Sequence, residues 1–383
     1  MIDCDALVVG GGPAGSTCAR ILKDAGLNVL VADRARFPRD KVCAGWLTPR
    51  VFTVLELDPD DYRAAGLTLQ EIDAFRTGVI GGATIETRYG EIVSYAIRRC
   101  EFDDFLLRRS AARVLHDTPV ATFNRDGDLW TVNDRIRTPV IVGAGGHFCP
   151  VARYLRGGAD TRQPIVAKEA EFPYDERDER RARAPELLFC RDMQGYAWCV
   201  QKGTYLNVGI GRRDPHEFGA HIHDFMALLQ ANGIDAGGAN VKWRGHAYFA
   251  AGVGPRPLTA PGAIVIGDAA GLAYPESGEG ICPAIESGRL AAETLVAARG
   301  RYTRDALRPY ETAMQRDHSA PWPQPAPIRA MSAAAGRFLL GSPAFTRRVL
   351  LDRWFLRSAH GRDGVETGRN RQKPSIPAAT STL

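Results

Sequence analysis

The stretch Ala6-Leu7-Val8-Val9-Gly10-Gly11-Gly12-Pro13-Ala14-Gly15 decides the fold. Its four apolar residues read as a strand buried on both faces, and a G-x-G-x-x-G turn follows at once. A helix pattern runs from Ala14 to about Ala25, with Gly26 where a C-cap glycine belongs. Asn28 to Ala32 then reads as a second strand, ending at Asp33. Gly10 permits the tight turn, Gly12 lets the backbone approach a pyrophosphate, and Gly15 lets helix and strand pack closely. The pyrophosphate would meet free N–H groups at the positive end of the helix. Asp33 lies 18 residues past Gly15, where a carboxylate accepts hydrogen bonds from adenosine ribose hydroxyls and disfavours the 2′-phosphate of NADP. A lone glycine fingerprint is weak; set between two strands, a helix and an acid it is strong.

Which dinucleotide is a question for a second stretch. Ala263-Ile264-Val265-Ile266-Gly267-Asp268-Ala269-Ala270-Gly271 reads as a buried strand ending in Gly-Asp. Pro275-Glu276-Ser277-Gly278-Glu279-Gly280-Ile281 and a helix pattern to about Ala298 follow. In this the sequence resembles flavoproteins with the p-hydroxybenzoate hydroxylase type of FAD-binding fold. The resemblance implies that Asp268 bonds the ribityl chain and that the helix after Gly280 points its N-terminus at the flavin pyrimidine, where reduced flavin carries negative charge. Arg99-Cys100-Glu101-Phe102-Asp103 opens a helix pattern through Arg109 and resembles the R-x-x-F-D segment whose arginine contacts FAD. Val120-Ala121 is expected to be a strand lining the adenine. One departure stands out: Val140 to Gly146 matches a strand that usually ends G-A-D-G, but Gly145 replaces the acid, which puts direct NADPH docking in doubt.

Two further motifs narrow the branch. Arg36-Phe37-Pro38-Arg39-Asp40-Lys41-Val42-Cys43-Ala44-Gly45-Trp46 resembles the F-P-R-x-K-x-C-G-G loop of the geranylgeranyl reductases, with Ala44 in place of a glycine. Tyr196-Ala197-Trp198-Cys199-Val200-Gln201-Lys202 resembles their Y-x-W-x-F-P-K motif, departing at Val200 and Gln201. The resemblance covers residues 1 to about 300. It implies cofactor contacts from Gly10, Gly12, Ala14, Gly15, Asp33, Arg34, Ala44, Gly45, Arg99, Val120, Gly267, Asp268, Gly278, Gly280 and Ile281. It implies substrate contacts from Tyr196, Trp198 and Lys202, with Cys43 and Lys41 as the candidate catalytic pair. A single cysteine is more often a small buried hydrophobe than an acid catalyst, so packing is the preferred role for Cys43.

The expected fold class is α/β: a Rossmann-like FAD-binding domain, a β-rich substrate domain and C-terminal helices. The FAD-binding domain takes residues 1–75, 95–165 and 255–300, and the substrate domain 76–94 and 166–254. A helical segment spans 301–361, and a polar tail 362–383 is expected to be poorly ordered. Strands are expected near Val166–Phe172, Leu187–Cys190, Tyr196–Lys202 and Tyr205–Ile210, and a helix over Phe218–Asn232. The charged run Asp175–Arg183 reads as a solvated loop. Residues 338–357 interleave apolar side chains with Arg347, Arg348, Arg353 and Arg357. They read as a helix closing the pocket core, the alternative being a basic amphipathic helix on a membrane surface.

Composition bounds the rest. The 383 residues are 45% hydrophobic and 24% charged, ordinary for a globule, with a net charge of +5 that forms no basic stripe and argues against nucleic acid. The eight cysteines form no C-x-x-C pair, so no metal site is expected, and isolated thiols without a visible signal peptide fit the cytoplasm.

The leading expectation is an FAD-dependent oxidoreductase that reduces C=C bonds of a hydrophobic, isoprenoid or polyketide-like, small molecule. An external donor such as NAD(P)H or ferredoxin would supply electrons, the latter as a partner protein, and peripheral contact with the inner membrane face stays open. The rivals are a monooxygenase or halogenase-like oxygenase of the same fold, and a non-catalytic FAD-binding protein. The W-x-W-x-I-P motif of flavin halogenases is absent, which lowers that branch.

Overall fold

The computed structural model describes residues 1–158, 163–174, 184–234, 241–251, 257–318 and 333–357. The charged run 175–183, the prolines of 319–327 and the tail 362–383 lie outside the described residues.

The N-terminal strand Ala6–Val9 is buried along its whole length and sits near the middle of a six-stranded sheet. In order across that sheet run Thr259–Ala260, Ala263–Val265, Ile141–Gly143, Ala6–Val9, Val29–Ala32 and Arg113–Leu115. All neighbours are parallel except the first pair. Parallel strands need crossovers, and the covering helices explain why these strands read as unbroken apolar runs rather than alternating ones. Helix Pro13–Asp24 packs on helix Ile281–Ala298 at backbone contact: a Cβ on Gly288 would lie 2.3 Å from the Ala14 carbonyl oxygen. Two segments nearly 270 residues apart are thereby brought together around the same strand ends. Together with the β-rich half described next, this is the expected α/β architecture with a Rossmann-like core.

The second large sheet has seven strands in the order Arg244–Tyr248, Ile165–Pro173, Tyr205–Arg212, Gly195–Lys202, Glu186–Phe189, Ala74–Val79 and Thr84–Arg88. It is antiparallel except where Glu186–Phe189 pairs with Ala74–Val79, a pairing tied by Arg76 to Glu186 at 2.7 Å. Side chains alternate between its two faces. Trp198 and Val200 join Phe75, Leu187, Leu350, Leu351 and Phe355 on one face. Ala197 and Cys199 join Leu188, Val208, Ile210 and helix residues Phe225 and Leu229 on the other. A small sheet, Trp46–Leu47, Ser94–Ile97 and Leu69–Ile72, bridges the two halves of the molecule.

Most expected elements form within two residues of their expected ends: the helices Pro13–Asp24, Arg99–Arg109 and Phe218–Ala231, and the strands of the large sheet. Two differ. Val120-Ala121 is not a strand. The side chain of Asn133 takes the place of a neighbouring strand, its Oδ1 accepting from the Ala121 and Thr122 N–H groups at 2.9 and 3.2 Å and its Nδ2 donating to the Pro119 carbonyl at 2.9 Å. Residues 338–357 are not one helix either. Helix Ala333–Leu340 ends at Gly341, Ser342 accepts from the Phe345 N–H, and Thr346–Phe355 continues in wide π-type turns. Their buried face, Leu350, Leu351 and Phe355, closes the core of the large sheet, as the pocket-closing reading expected.

Candidate active site

A cavity of 1880 Å³ runs from the glycine turn to the C-terminal helical segment. Seventeen of the expected site residues line it: Gly10, Gly12, Ala14, Asp33, Arg34, Lys41, Cys43, Ala44, Arg99, Val120, Tyr196, Trp198, Gly267, Asp268, Gly278, Gly280 and Ile281. Gly15, Gly45 and Lys202 stand behind its wall.

At one end the wall is backbone. Gly10 has φ +111°, and a Cβ there would lie 2.4 Å from the Ala144 carbonyl oxygen. A Cβ on Gly15 would lie 1.9 Å from the Gly10 carbonyl oxygen, so the turn closes only with glycine at both positions. Gly12 is different: a Cβ there meets nothing closer than Arg39 Nη2 at 3.5 Å. That open space lies at the start of helix Pro13–Asp24, which has no side-chain cap, so its first N–H groups face the cavity with the helix dipole behind them. This is the chemistry a pyrophosphate needs. Asp33 is buried, its carboxylate accepting from the Gly11 N–H at 2.7 Å and the Ala35 N–H at 2.8 Å. It thus braces the turn, and a carboxylate has lone pairs left for a ribose hydroxyl. The residues present fit the two phosphates and adenosine of FAD.

The middle of the cavity is charged. Arg99 donates through Nε and Nη2 to both oxygens of Asp103, at 2.8 and 2.9 Å, and Arg39 reaches the same carboxylate at 3.1 Å. Lys41 Nζ and His246 Nε2 are 2.5 Å apart, and both approach Asp268 Oδ2, at 3.8 and 3.9 Å. Burial works to raise the Asp268 carboxyl, but His246, Lys41 and Arg99 outweigh it and hold the acid ionised, well below the usual carboxylate range. Burial pulls both the Lys41 ammonium and the His246 imidazolium down, with Asp268 opposing. Two bases in hydrogen-bond contact beside one half-buried acid hold one shared proton more readily than two. Helix Ile281–Ala298 begins here, and Glu279 accepts from its Cys282 N–H at 2.7 Å. Burial pushes the Glu279 carboxyl up to about 7.

The far end is aromatic. Trp46 stacks on Phe355 with ring centroids 5.4 Å apart, and Tyr196 meets Phe355 edge-on at 5.5 Å. The Tyr196 hydroxyl donates to the Ser277 carbonyl, joining the large sheet to the loop after Asp268. Trp198 is fixed by its Nε1–H, which donates to Asn207 Oδ1 at 2.7 Å. Arginines stand at this end too: Arg357 lies over the Tyr274 ring at 3.2 Å, and Arg348 and Arg353 line the cavity.

Three cavity residues escaped the sequence reading. His246 gave no signal, since it belongs to no motif and meets Lys41 only because the large sheet folds over the loop. Glu279 sat inside the quoted second fingerprint and was passed over; an acid between two glycines at a helix start was the available signal. Arg39 sat inside the loop motif. At Gly145, which stands in place of the acid, a Cβ would lie 3.2 Å from Cys149 Cα, a tight contact that a shift of a few tenths of an ångström relieves. Among the described residues, no group of three or more His, Cys, Asp or Glu is arranged to hold a metal, and no helix is long and apolar enough to cross a membrane.

A family profile described as an FAD binding domain matches residues 3–66. The digeranylgeranylglycerophospholipid reductase of Methanocaldococcus jannaschii is 25% identical over 339 residues, 82% of this chain and 83% of that protein. The menaquinone reductase of Mycobacterium tuberculosis is 28% identical over 343 residues, 76% of each chain. A geranylgeranyl bacteriochlorophyll reductase-like protein from Thermoplasma acidophilum superposes with a TM-score of 0.75 at 22% identity, covering 89% of this chain and 91% of that one. The architecture is that of the p-hydroxybenzoate hydroxylase type.

Proposed function

We propose that the chain is an FAD-dependent oxidoreductase of the geranylgeranyl reductase family and that it reduces C=C bonds of a hydrophobic isoprenoid or polyketide-like substrate. One observation supports this above the others: a single continuous cavity of 1880 Å³ joins the glycine turn to an aromatic wall. Ordinary small-molecule pockets run to ~1,000 Å³, so a cavity of this size has room for a dinucleotide and a second molecule end to end.

When bound, FAD supplies hydride from its reduced ring to one alkene carbon. The protein's part is distributed along the cavity. The N-termini of helices Pro13–Asp24 and Ile281–Ala298 stabilise negative charge on the phosphates and on the ring's pyrimidine edge. Asp268 accepts from a ribityl hydroxyl. Trp46, Tyr196, Trp198 and Phe355 hold the alkene in one orientation and keep water away. Lys41, hydrogen-bonded to His246, holds a proton at the cavity wall for the second alkene carbon. Cys43 shapes the wall beside it. Electrons come from an external donor, NAD(P)H or a ferredoxin. Phe338, 82% exposed beside Arg337, is where we would place contact with a bilayer that delivers the substrate.

The test is anaerobic photoreduction of the FAD-loaded protein followed by addition of geranylgeranyl diphosphate or menaquinone. Reoxidation of the flavin without oxygen is expected, with two hydrogens added across a prenyl C=C; for menaquinone the mass is read after the quinol has been reoxidised in air, because reduction of the quinone ring also adds two hydrogens. Reoxidation by oxygen alone would sink the reductase reading in favour of the monooxygenase.

A further inference from the structure

The loop from Arg39 to Gly45 is neither helix nor strand, so its buried backbone groups must find partners elsewhere. At Cys43 those partners are two buried charged side chains. The Cys43 N–H donates to Glu169 Oε2 at 2.7 Å. The Cys43 carbonyl accepts from Lys202 Nζ at 3.2 Å. Glu169 and Lys202 come from neighbouring parts of the large sheet and are 6% and 1% exposed. Each has a second tie. Asn207 Nδ2 donates to the same Glu169 Oε2 at 3.2 Å, and Lys202 donates to Glu171 Oε2 at 2.9 Å, while Arg98 Nε donates to the other oxygen of Glu171, Oε1, at 3.0 Å.

Burying charge is costly, and an apolar filling of the same volume is often no less stable. Stability alone is therefore a poor reason for this cluster. Its geometry suggests another. Asn207 also accepts from Trp198 Nε1 at 2.7 Å, so one chain of hydrogen bonds runs from a cavity tryptophan through Asn207 and Glu169 to the backbone of a cavity cysteine. The loop also packs closely here: Gly45 has φ +66°, and a Cβ there would lie 2.2 Å from the Ile97 carbonyl oxygen and 2.8 Å from Lys202 Nζ. The Gly45 N–H in turn donates to Cys43 Sγ at 3.3 Å.

We infer that Glu169 and Lys202 are positioning residues that grip the Cys43 backbone from both sides, and that Asn207 links this grip to Trp198, so that the thiol and the aromatic wall keep a fixed separation. Lys202 then serves the site from behind its wall and does not touch substrate. The grip itself rests only on the loop geometry. Its consequence for turnover rests on the proposed flavin chemistry.

The experiment reads the thiol directly. The full-length protein is treated with iodoacetamide, and alkylation of Cys43 is followed by peptide mass spectrometry against half-buried Cys100 as internal standard, the other cysteines being buried. Glu169→Leu and Lys202→Met should each raise the Cys43-to-Cys100 ratio by about fivefold or more, the equivalent of one lost net hydrogen bond. Glu169→Gln should restore the wild-type ratio, because one amide oxygen can accept from both Cys43 and Asn207. A ratio unchanged within twofold in folded Leu and Met variants overturns the inference. So does a parallel rise at Cys100, which would mean general loosening. Should the variants fail to fold, hydrogen exchange of the wild-type protein decides: the Cys43 amide is expected to be strongly protected, and exchange at unstructured rates overturns the grip. Visible flavin absorbance is recorded throughout, so a protein that grips Cys43 yet binds no FAD would sink the proposed function and leave this inference standing.

Discussion

The two ends of the cavity are built from different materials. The phosphate end is made of backbone: glycines without side chains, bare helix N–H groups, and one acid, Asp33, holding two main-chain amides. The substrate end is made of side chains drawn from the large sheet, the Trp46–Leu47 strand and the C-terminal segment. A backbone site tolerates almost no change in its own residues but asks little of the rest of the chain. A side-chain site depends on several distant elements meeting, and each member can be altered by degrees.

That contrast can be broken by substitution, beginning with the most severe. Gly15→Val puts a Cβ 1.9 Å from the Gly10 carbonyl oxygen, with no flexible neighbour to yield, so the phosphate turn should not close. The expected outcome is insoluble protein or a melting temperature lowered by many degrees; a normally stable variant would mean the turn is not packed as described.

Gly12→Val tests the same turn from the cavity side. Its backbone, with φ −71° and ψ −178°, accepts valine, and only Arg39 stands within reach. Melting should be near normal while FAD affinity falls by roughly two orders of magnitude, about 3 kcal/mol. Retained FAD occupancy would remove the pyrophosphate from this position.

Asp268→Ala should cost less. Losing a half-buried acceptor and leaving its partner unpaired is worth ~1–3 kcal/mol, so the FAD dissociation constant should rise about 5- to 100-fold in a titration. Lys41 and His246 would also lose their counter-charge, which moves both further below their ordinary values, so an NMR pH titration of the variant should show His246 gaining its proton at lower pH than in the wild type.

Glu279→Gln is the mildest change and belongs to the junction of the two ends. Burial raises the folded carboxyl to about 7, above its unfolded value. The folded state therefore binds the proton more tightly. Its stabilising effect is present below the unfolded value and declines as pH rises from about 4.5 to about 7. Glutamine should flatten that part of the stability–pH curve, measured by denaturant unfolding, and a curve parallel to wild type would mean that Glu279 does not titrate there.

The same contrast governs what was legible. Gly10, Gly12 and Gly15 could be read because each acts through its own backbone, within six residues of the next. Gly280 could be read for the same reason in the second stretch, and Asp268, which acts through its side chain, because it directly follows the glycine that ends the strand. Lys202 was assigned to the substrate wall from strand alternation and motif likeness, and alternation does put it on the same face as Trp198. What alternation lacked was the loop crossing that end of the strand, which covers Lys202 and turns it towards Cys43. Val120 was expected in a strand, but a strand needs a neighbour, and the side chain of Asn133 satisfies those amides instead.

The sequence by itself determined the parallel core, the glycine turn, the second fingerprint and the identity of the large sheet's strands, because hydrophobic period and backbone freedom are properties of adjacent residues. Only the tertiary structure decided that His246 meets Lys41, that Glu169 and Lys202 close on Cys43 from opposite sides, and that the segment after Gly341 seals the aromatic end. Those contacts join residues separated by more than a hundred positions. Their partners are selected by how sheets and helices pack, and that depends on the shape of the whole chain.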